Sequence, residues 1–175
     1  MIRRNLEHIP SVPFPKGFTI RPYQPGDELI WQEIQSRSDN FNQISTDTFW
    51  KAFGDNREFL IDRQFYVVNR NFTVVATGTS WFNNAYKNFT FGRIHWLAVL
   101  PENQRKGLGK ALLTFLCQKL KSLGHDKVYL TTSTLRIQAI NLYLGFGFYP
   151  EIRNQEDCDT WNIIRDKLKY PIHIE

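Results

Sequence analysis

Two cysteines, Cys117 and Cys158, are all that 175 residues contain, and no CxxC pair occurs. That excludes a disulfide-built scaffold and gives no metal-type spacing, so a reducing, cytoplasmic setting without a bound metal is expected. Long apolar runs are missing too. No stretch approaches the ~20 residues of a membrane span. The N-terminus, MIRRNLEHIPSVPFP, carries basic residues with no apolar segment behind them, so neither a secretory leader nor a membrane partner is expected. Nor is charge concentrated: 22 Lys and Arg against 17 Asp and Glu give a formal +5, with no basic run of five or more. Scattered cations of this kind argue against a nucleic-acid partner. Internal repeats, low-complexity tracts and linkers are absent.

What is present is enough apolar material for one domain. Residues 1–14, with three prolines in the first 15, read as an extended arm; residues 15–175 read as a single domain. Aromatics reach 15%, a content that suits a large core or an aromatic-lined pocket. PKGFTIRPY (15–23) alternates like a strand, and Asp27 is placed to N-cap a helix carrying Ile30, Trp31 and Ile34. A short helix is expected at 46–53, capped by Ser45 or Thr46. Three strands follow, at 63–69, 72–82 and 89–100, joined closely enough to form an antiparallel meander. From Gly107 to Leu123 the apolar residues fall at helical spacing, with Gly124 at the stop. KVYLTT (127–132) reads as a strand, RIQAINLYL (136–144) as a helix and TWNIIRDKL (160–168) as a last strand. A helix between two strands is a crossover, so the strands on either side of 107–123 should be parallel neighbours.

The segment NQRKGLGKAL (103–112) joins a buried strand to a helix start, where free N–H groups and the helix dipole favour an anion. Gly107 and Gly109 let the main chain approach a ligand, and Arg105, Lys106 and Lys110 crowd the same loop. It is neither a Walker A sequence nor a GxGxxG fingerprint. A small polyanionic ligand accounts for the clustering, although each cation alone could be a solvated surface charge.

AVLPENQRKGLGKALL resembles the acetyl-CoA loop of the GNAT superfamily of N-acetyltransferases, with Gln104, Gly107 and Gly109 on its motif positions. AINLYLGFGFYPE (139–151) is similar to a second motif of that superfamily, an apolar helix with a tyrosine followed by Gly-Phe. The resemblance covers roughly residues 17–168, and its specific motifs lie in 89–151. It implies a mixed α/β fold: a twisted, mostly antiparallel central sheet splayed into a V and flanked by helices. It implies acetyl-CoA as co-substrate, with pantetheine along the main chains of Leu97 and Val99. The diphosphate would rest on the loop from Arg105 through Lys106, Gly107, Leu108 and Gly109 to Lys110. The activity implied is direct acetyl transfer to a primary amine, on a small molecule or a peptide, in a ternary complex. The alternative is a non-catalytic acyl-CoA-binding domain of the same fold. A homodimer is left open.

Tyr143 occupies the superfamily's tyrosine position; protonated at neutral pH, it could serve as general acid toward the departing thiolate. Arg136 stands seven residues earlier, where many members carry Asn, so the contact made by that Asn is in doubt here. His95 shares a strand face with Leu97 and Val99 and is the candidate base, or else a hydrogen-bonded core residue. Arg93 stands where some histone-modifying relatives have a glutamate base, a role it cannot fill. Cys117, mid-helix on the apolar stripe, reads as structural.

Overall fold

The structure is a computed structural model and describes residues 1–45 and 47–174. Its order is β1 (Ile2–Arg3), β2 (Phe18–Pro22), α1 (Asp27–Ser38), α2 (Thr48–Phe53), α3 (Arg57–Arg63), β3 (Gln64–Asn69), β4 (Val74–Tyr86) and β5 (Phe89–Val99). Then come α4 (Leu108–Ser122), β6 (Val128–Tyr129), α5 (Ile137–Gly145) and α6 (Gln155–Ile164). The six strands form one sheet in the order β1-β6-β5-β4-β3-β2. Every neighbouring pair is antiparallel except β5 and β6, which are parallel and joined through α4, as the crossover requires.

The meander forms as its sequence expects, with one difference. The polar stretch after Phe82 stays in β4 to Tyr86, and the turn shrinks to Lys87-Asn88, both at positive φ (52° and 63°). Two left-handed residues match the twist of a tight hairpin.

The sheet is covered on both faces. Leu112, Leu116 and Leu120 of α4 pack on one, with Val67, Ala76, Ile94 and Val128 in the same apolar cluster. A Cβ on Gly78 of β4 would lie 2.7 Å from Leu116 Cδ1, so glycine there is what lets α4 sit this close to the sheet. The other face carries the aromatics. Trp31 of α1 meets Phe49, Phe53 and Trp96 edge-on, with ring centroids 5.3, 5.7 and 5.1 Å away. Much of the aromatic content is therefore core, each edge contact adding about 0.5–1.5 kcal/mol beyond burial.

Four local expectations are corrected. Asp27 does not cap α1; Gly26 occupies that position, and the Asp27 carboxylate accepts from both terminal nitrogens of Arg21 (2.6 and 2.8 Å) and from Gln24 N–H. It ties β2 to α1 instead. Ser45 is not the cap of α2 either, a position held by Asp47 without a side-chain bond; Thr46 lies outside the described residues. Helix α3 was not expected: Asn56 accepts from Glu58 and Phe59 N–H and starts a new helix. The expected last strand at 160–168 is not a strand. Residues 155–164 are helical, capped by Asn154 on Asp157 N–H; Trp161 and Ile164, three apart, bury together while Ile163 faces solvent.

The N-terminal segment is extended and seated against the body. Ile2 and Arg3 pair with Tyr129 and Val128, and Leu6 is buried in the main core.

Candidate active site

Pairing between β5 and β6 is confined to Gly92↔Val128 and Arg93↔Tyr129. Beyond Arg93 the remaining half of β5 has β4 on one side and, among the described residues, no strand on the other. A bulge deepens this break: Trp96 and Leu97 together oppose Gly78, and Trp96 sits at φ 51°, a conformation that costs a non-glycine residue about 1–3 kcal/mol. Gln35 of α1 holds it there by donating to Trp96 O at 2.8 Å. At the strand's end Val99 O accepts from Gln104 Nε2 (3.0 Å) and Ser38 Oγ (3.1 Å), while Leu100 N–H bonds back to Val75. Strand alternation turns the Val99 amide toward the open side. Gln35 and Ser38 escaped the sequence reading, because nothing in α1 by itself indicates that it buttresses a strand some sixty positions later.

The chain then turns through Pro101–Asn103 and reaches the glycine loop with Arg105 (φ 60°) and Gly107 (φ 86°) both left-handed. Helix α4 closes its first bond from Ala111 N–H to Gly107 O, which leaves the amides of Leu108, Gly109 and Lys110 without intrahelical partners. A Cβ on Gly109 would meet nothing nearer than Leu142 Cδ2, at 3.6 Å, an ordinary contact. Packing alone therefore does not require glycine there. Arg105, Lys106 and Lys110 are exposed and form no ion pair among the described residues.

Tyr143 on α5 packs in the same cluster as Val99 and Leu108, with Leu97 against it. Its hydroxyl has no protein hydrogen bond among the described residues, and burial pushes its pKa up to about 12. Arg136, at the head of α5, donates to both oxygens of Asp39 (2.8 Å each), just past α1, and lies over the Phe41 ring. His95 does not share a face with Leu97 and Val99 as strand alternation led one to expect: the bulge at Trp96 and Leu97 breaks the alternation, and His95 lies on the aromatic face, 5.5 Å from the Phe53 ring. Burial, aided by the Arg93 charge, holds its pKa down to about 3, against a weaker pull upward from the Ala52 backbone. It is neutral throughout the physiological range. Cys117 is buried and its thiol is pushed up to about 12.

The structure thus brings Leu97, Val99, Gln104, the glycine loop and Tyr143 around one opening. A groove of about 310 Å³ beside Arg4, Lys87, Tyr149 and Glu151 contains none of them.

A sequence profile of the acetyltransferase (GNAT) family matches residues 27–148, a span that includes every predicted site residue. The chain belongs to the GNAT acetyltransferase family. The chain is similar to mycothiol acetyltransferase of Pseudarthrobacter chlorophenolicus, 28% identical over 156 residues, covering 80% of this chain and 45% of that protein. It is also similar to N-acetyltransferase 8B of Rattus norvegicus, 42% identical over 52 residues, 30% of this chain and 23% of that one. This chain thus spans less than half the length of either relative. Among solved structures, ribosomal-protein-S18-alanine N-acetyltransferase of Escherichia coli has a TM-score of 0.62 at 24% identity, over 77% of this chain and 79% of that one. Glucosamine-6-phosphate N-acetyltransferase of Arabidopsis thaliana has 0.59 at 21%, over 79% and 96%. These two similarities establish the GNAT fold. No helix among the described residues is long and apolar enough to cross a membrane, and no group of three His, Cys, Asp or Glu is set to hold a metal.

Proposed function

We propose that the chain is an N-acetyltransferase that moves an acetyl group from acetyl-CoA to a primary amine, on a small molecule or a peptide, by direct transfer in a ternary complex. The observation that carries this is the space at Gly109. Glycine stands where the protein's own packing would accept a side chain, beside free helix N–H groups and three cations that form no ion pair among the described residues. A diphosphate fits that surface. The main chains of Leu97 and Val99 suit the pantetheine amides, with Gln104 holding the Val99 carbonyl in place.

When bound, acetyl-CoA supplies the activated acyl group and a thiol leaving group. The residues around it then have separate tasks. Leu108, Gly109 and Lys110 offer N–H groups to the diphosphate; Arg105, Lys106 and Lys110 add charge. Tyr143, protonated up to about pH 12 and without a protein hydrogen bond among the described residues, holds a proton and donates it toward the departing sulfur. His95 acts as a neutral hydrogen-bonding group near the amine; with a pKa near 3 it does not retain a proton taken from an ammonium. The acceptor therefore enters the reaction as a free amine, and the proton its nitrogen loses on forming the amide passes through solvent to restore the Tyr143 hydroxyl. Cys117, buried and with its thiol raised to about 12, is unsuited to forming an acyl-enzyme, which supports direct transfer. Free Cys117 and Cys158 support a cytoplasmic setting.

The test is incubation with acetyl-CoA and a panel of amines, following CoA release and identifying the N-acetyl product by mass. Tight acetyl-CoA binding with no CoA release from any amine would favour the non-catalytic acyl-CoA-binding alternative.

A further inference from the structure

Arg93 is unlike the other arginines of this face. Arg21 has Asp27 and Arg136 has Asp39, each through two bonds. Arg93 has no ion pair and no hydrogen bond among the described residues, and its Nε is fully buried without a partner. A buried guanidinium donor left unmatched is costly unless something outside the chain completes it.

Its place suggests what that is. Arg93 is the last β5 residue paired with β6, at the closed end of the opening, and strand alternation puts it on the face of His95. The bulge at Trp96 and Leu97 separates two parts of β5: Leu97 and Val99 turn their side chains to the α4 cluster, while His95 and Arg93 share the opposite, aromatic face. His95 and Arg93 are about 6.6 Å apart along the strand. The guanidinium is also held still. Its carbon lies 5.5 Å from the centroid of the Tyr129 ring; Tyr129 stacks on Tyr86 at 4.0 Å, and its hydroxyl accepts from Asn83. The Tyr86 hydroxyl donates to Glu151, whose other oxygen is ion-paired with Lys87 at 2.5 Å and not with Arg93. Among the described residues no carboxylate pairs with Arg93, whose charge stands at the end of the cleft.

We propose that Arg93 recognises the acceptor, and that the acceptor amine carries an anionic oxygen group, a carboxylate or a phosphate, close to its amino nitrogen. The planar fork of Arg binds either group through paired N–H···O bonds. This rests on the acetyltransferase reading above.

The experiment compares matched acceptors by CoA release: free α-amino acids, their carboxamides, the corresponding decarboxylated amines and an aminoalkyl phosphate. The expected result is a kcat/KM higher by roughly 10- to 100-fold for anionic acceptors than for their neutral counterparts. The carboxylate and phosphate arms tell which anion is taken. Arg93→Gln should erase the preference mainly through KM, Arg93→Lys should restore part of it, and both should keep the thermal shift given by acetyl-CoA. Calorimetry of the preferred acid in the presence of CoA should show binding to the wild type and not to Arg93→Gln. Turnover that ignores the anionic group, or a preference surviving in a folded Arg93→Gln, overturns the substrate inference alone. No CoA release from any acceptor, with acetyl-CoA bound, overturns the acetyltransferase reading and the inference with it.

Discussion

Tyr143 and His95 both titrate far from their ordinary ranges, and the consequences differ. The Tyr143 hydroxyl makes no protein hydrogen bond among the described residues, so Tyr143→Phe should leave the unfolding midpoint close to wild type. Turnover should fall roughly 10²-fold, with acetyl-CoA affinity nearly unchanged, as expected on losing a general acid; steady-state kinetics beside equilibrium binding check it. For His95 the readout is stability. Its pKa is near 3 when folded and about 6.5 when unfolded. Between those values the unfolded chain holds a proton that the folded one lacks, so stability rises with pH, by about 1.4 kcal/mol per unit for this group. The contribution is fully present above about pH 6.5 and is lost as the pH falls toward 3. Urea unfolding at pH 5 and 7 should show wild type losing about 1–2 kcal/mol more than His95→Gln on acidification. His125, also lowered by burial, stays in both proteins and cancels. An equal loss in the two would show that His95 titrates normally. By the same reasoning, the rise of kcat/KM with pH should follow the pKa of the acceptor amine.

At the scale of elements, the glycine loop and the bulge do the positioning. Gly107, at φ 86°, is strained by any side chain, whereas Gly109 is helical and has room. Gly109→Val should therefore fold with an ordinary melting temperature and lose the acetyl-CoA thermal shift, which in wild type reaches ~2.7 kcal/mol at a hundred times Kd. A full shift in Gly109→Val would place the diphosphate elsewhere. The elements themselves were unequally legible. The repeat of apolar residues through α4 and the strand-turn-strand pattern of β3 to β5 are local, and both read directly. Helix α6 did not, because Trp161, Ile163 and Ile164 suit a strand as well as a helix. Only the fit of Trp161 and Ile164 against Ile140 and Ile172 selects the helix. The bulge at Trp96 has no sequence signature, since tryptophan rarely takes positive φ; it exists because Gln35 and Trp31 hold it.

For the molecule as a whole, the sheet's far edge is completed by the beginning of the chain. Leu6, 3% exposed, inserts into the same cluster as Leu112 and Phe148. Leu6→Ala should cost about 2–5 kcal/mol of stability, read by urea unfolding, while the folded fraction keeps its acetyl-CoA shift. A change under 0.5 kcal/mol would mean that the segment is only loosely attached. Sequence alone determined the helical period of α4, the meander, the paired glycines before a helix and the tyrosine before Gly-Phe, because each depends on residues within a turn or two of one another. Tertiary structure decided the rest. It set Asp27 on Arg21 in place of a cap and docked β1 on β6. It joined Arg136 to Asp39 across 97 positions, and among the described residues it left Arg93 without an ion pair where β5 and β6 part. Those outcomes depend on which distant groups meet, and a partner's absence becomes visible only when every neighbour is in place.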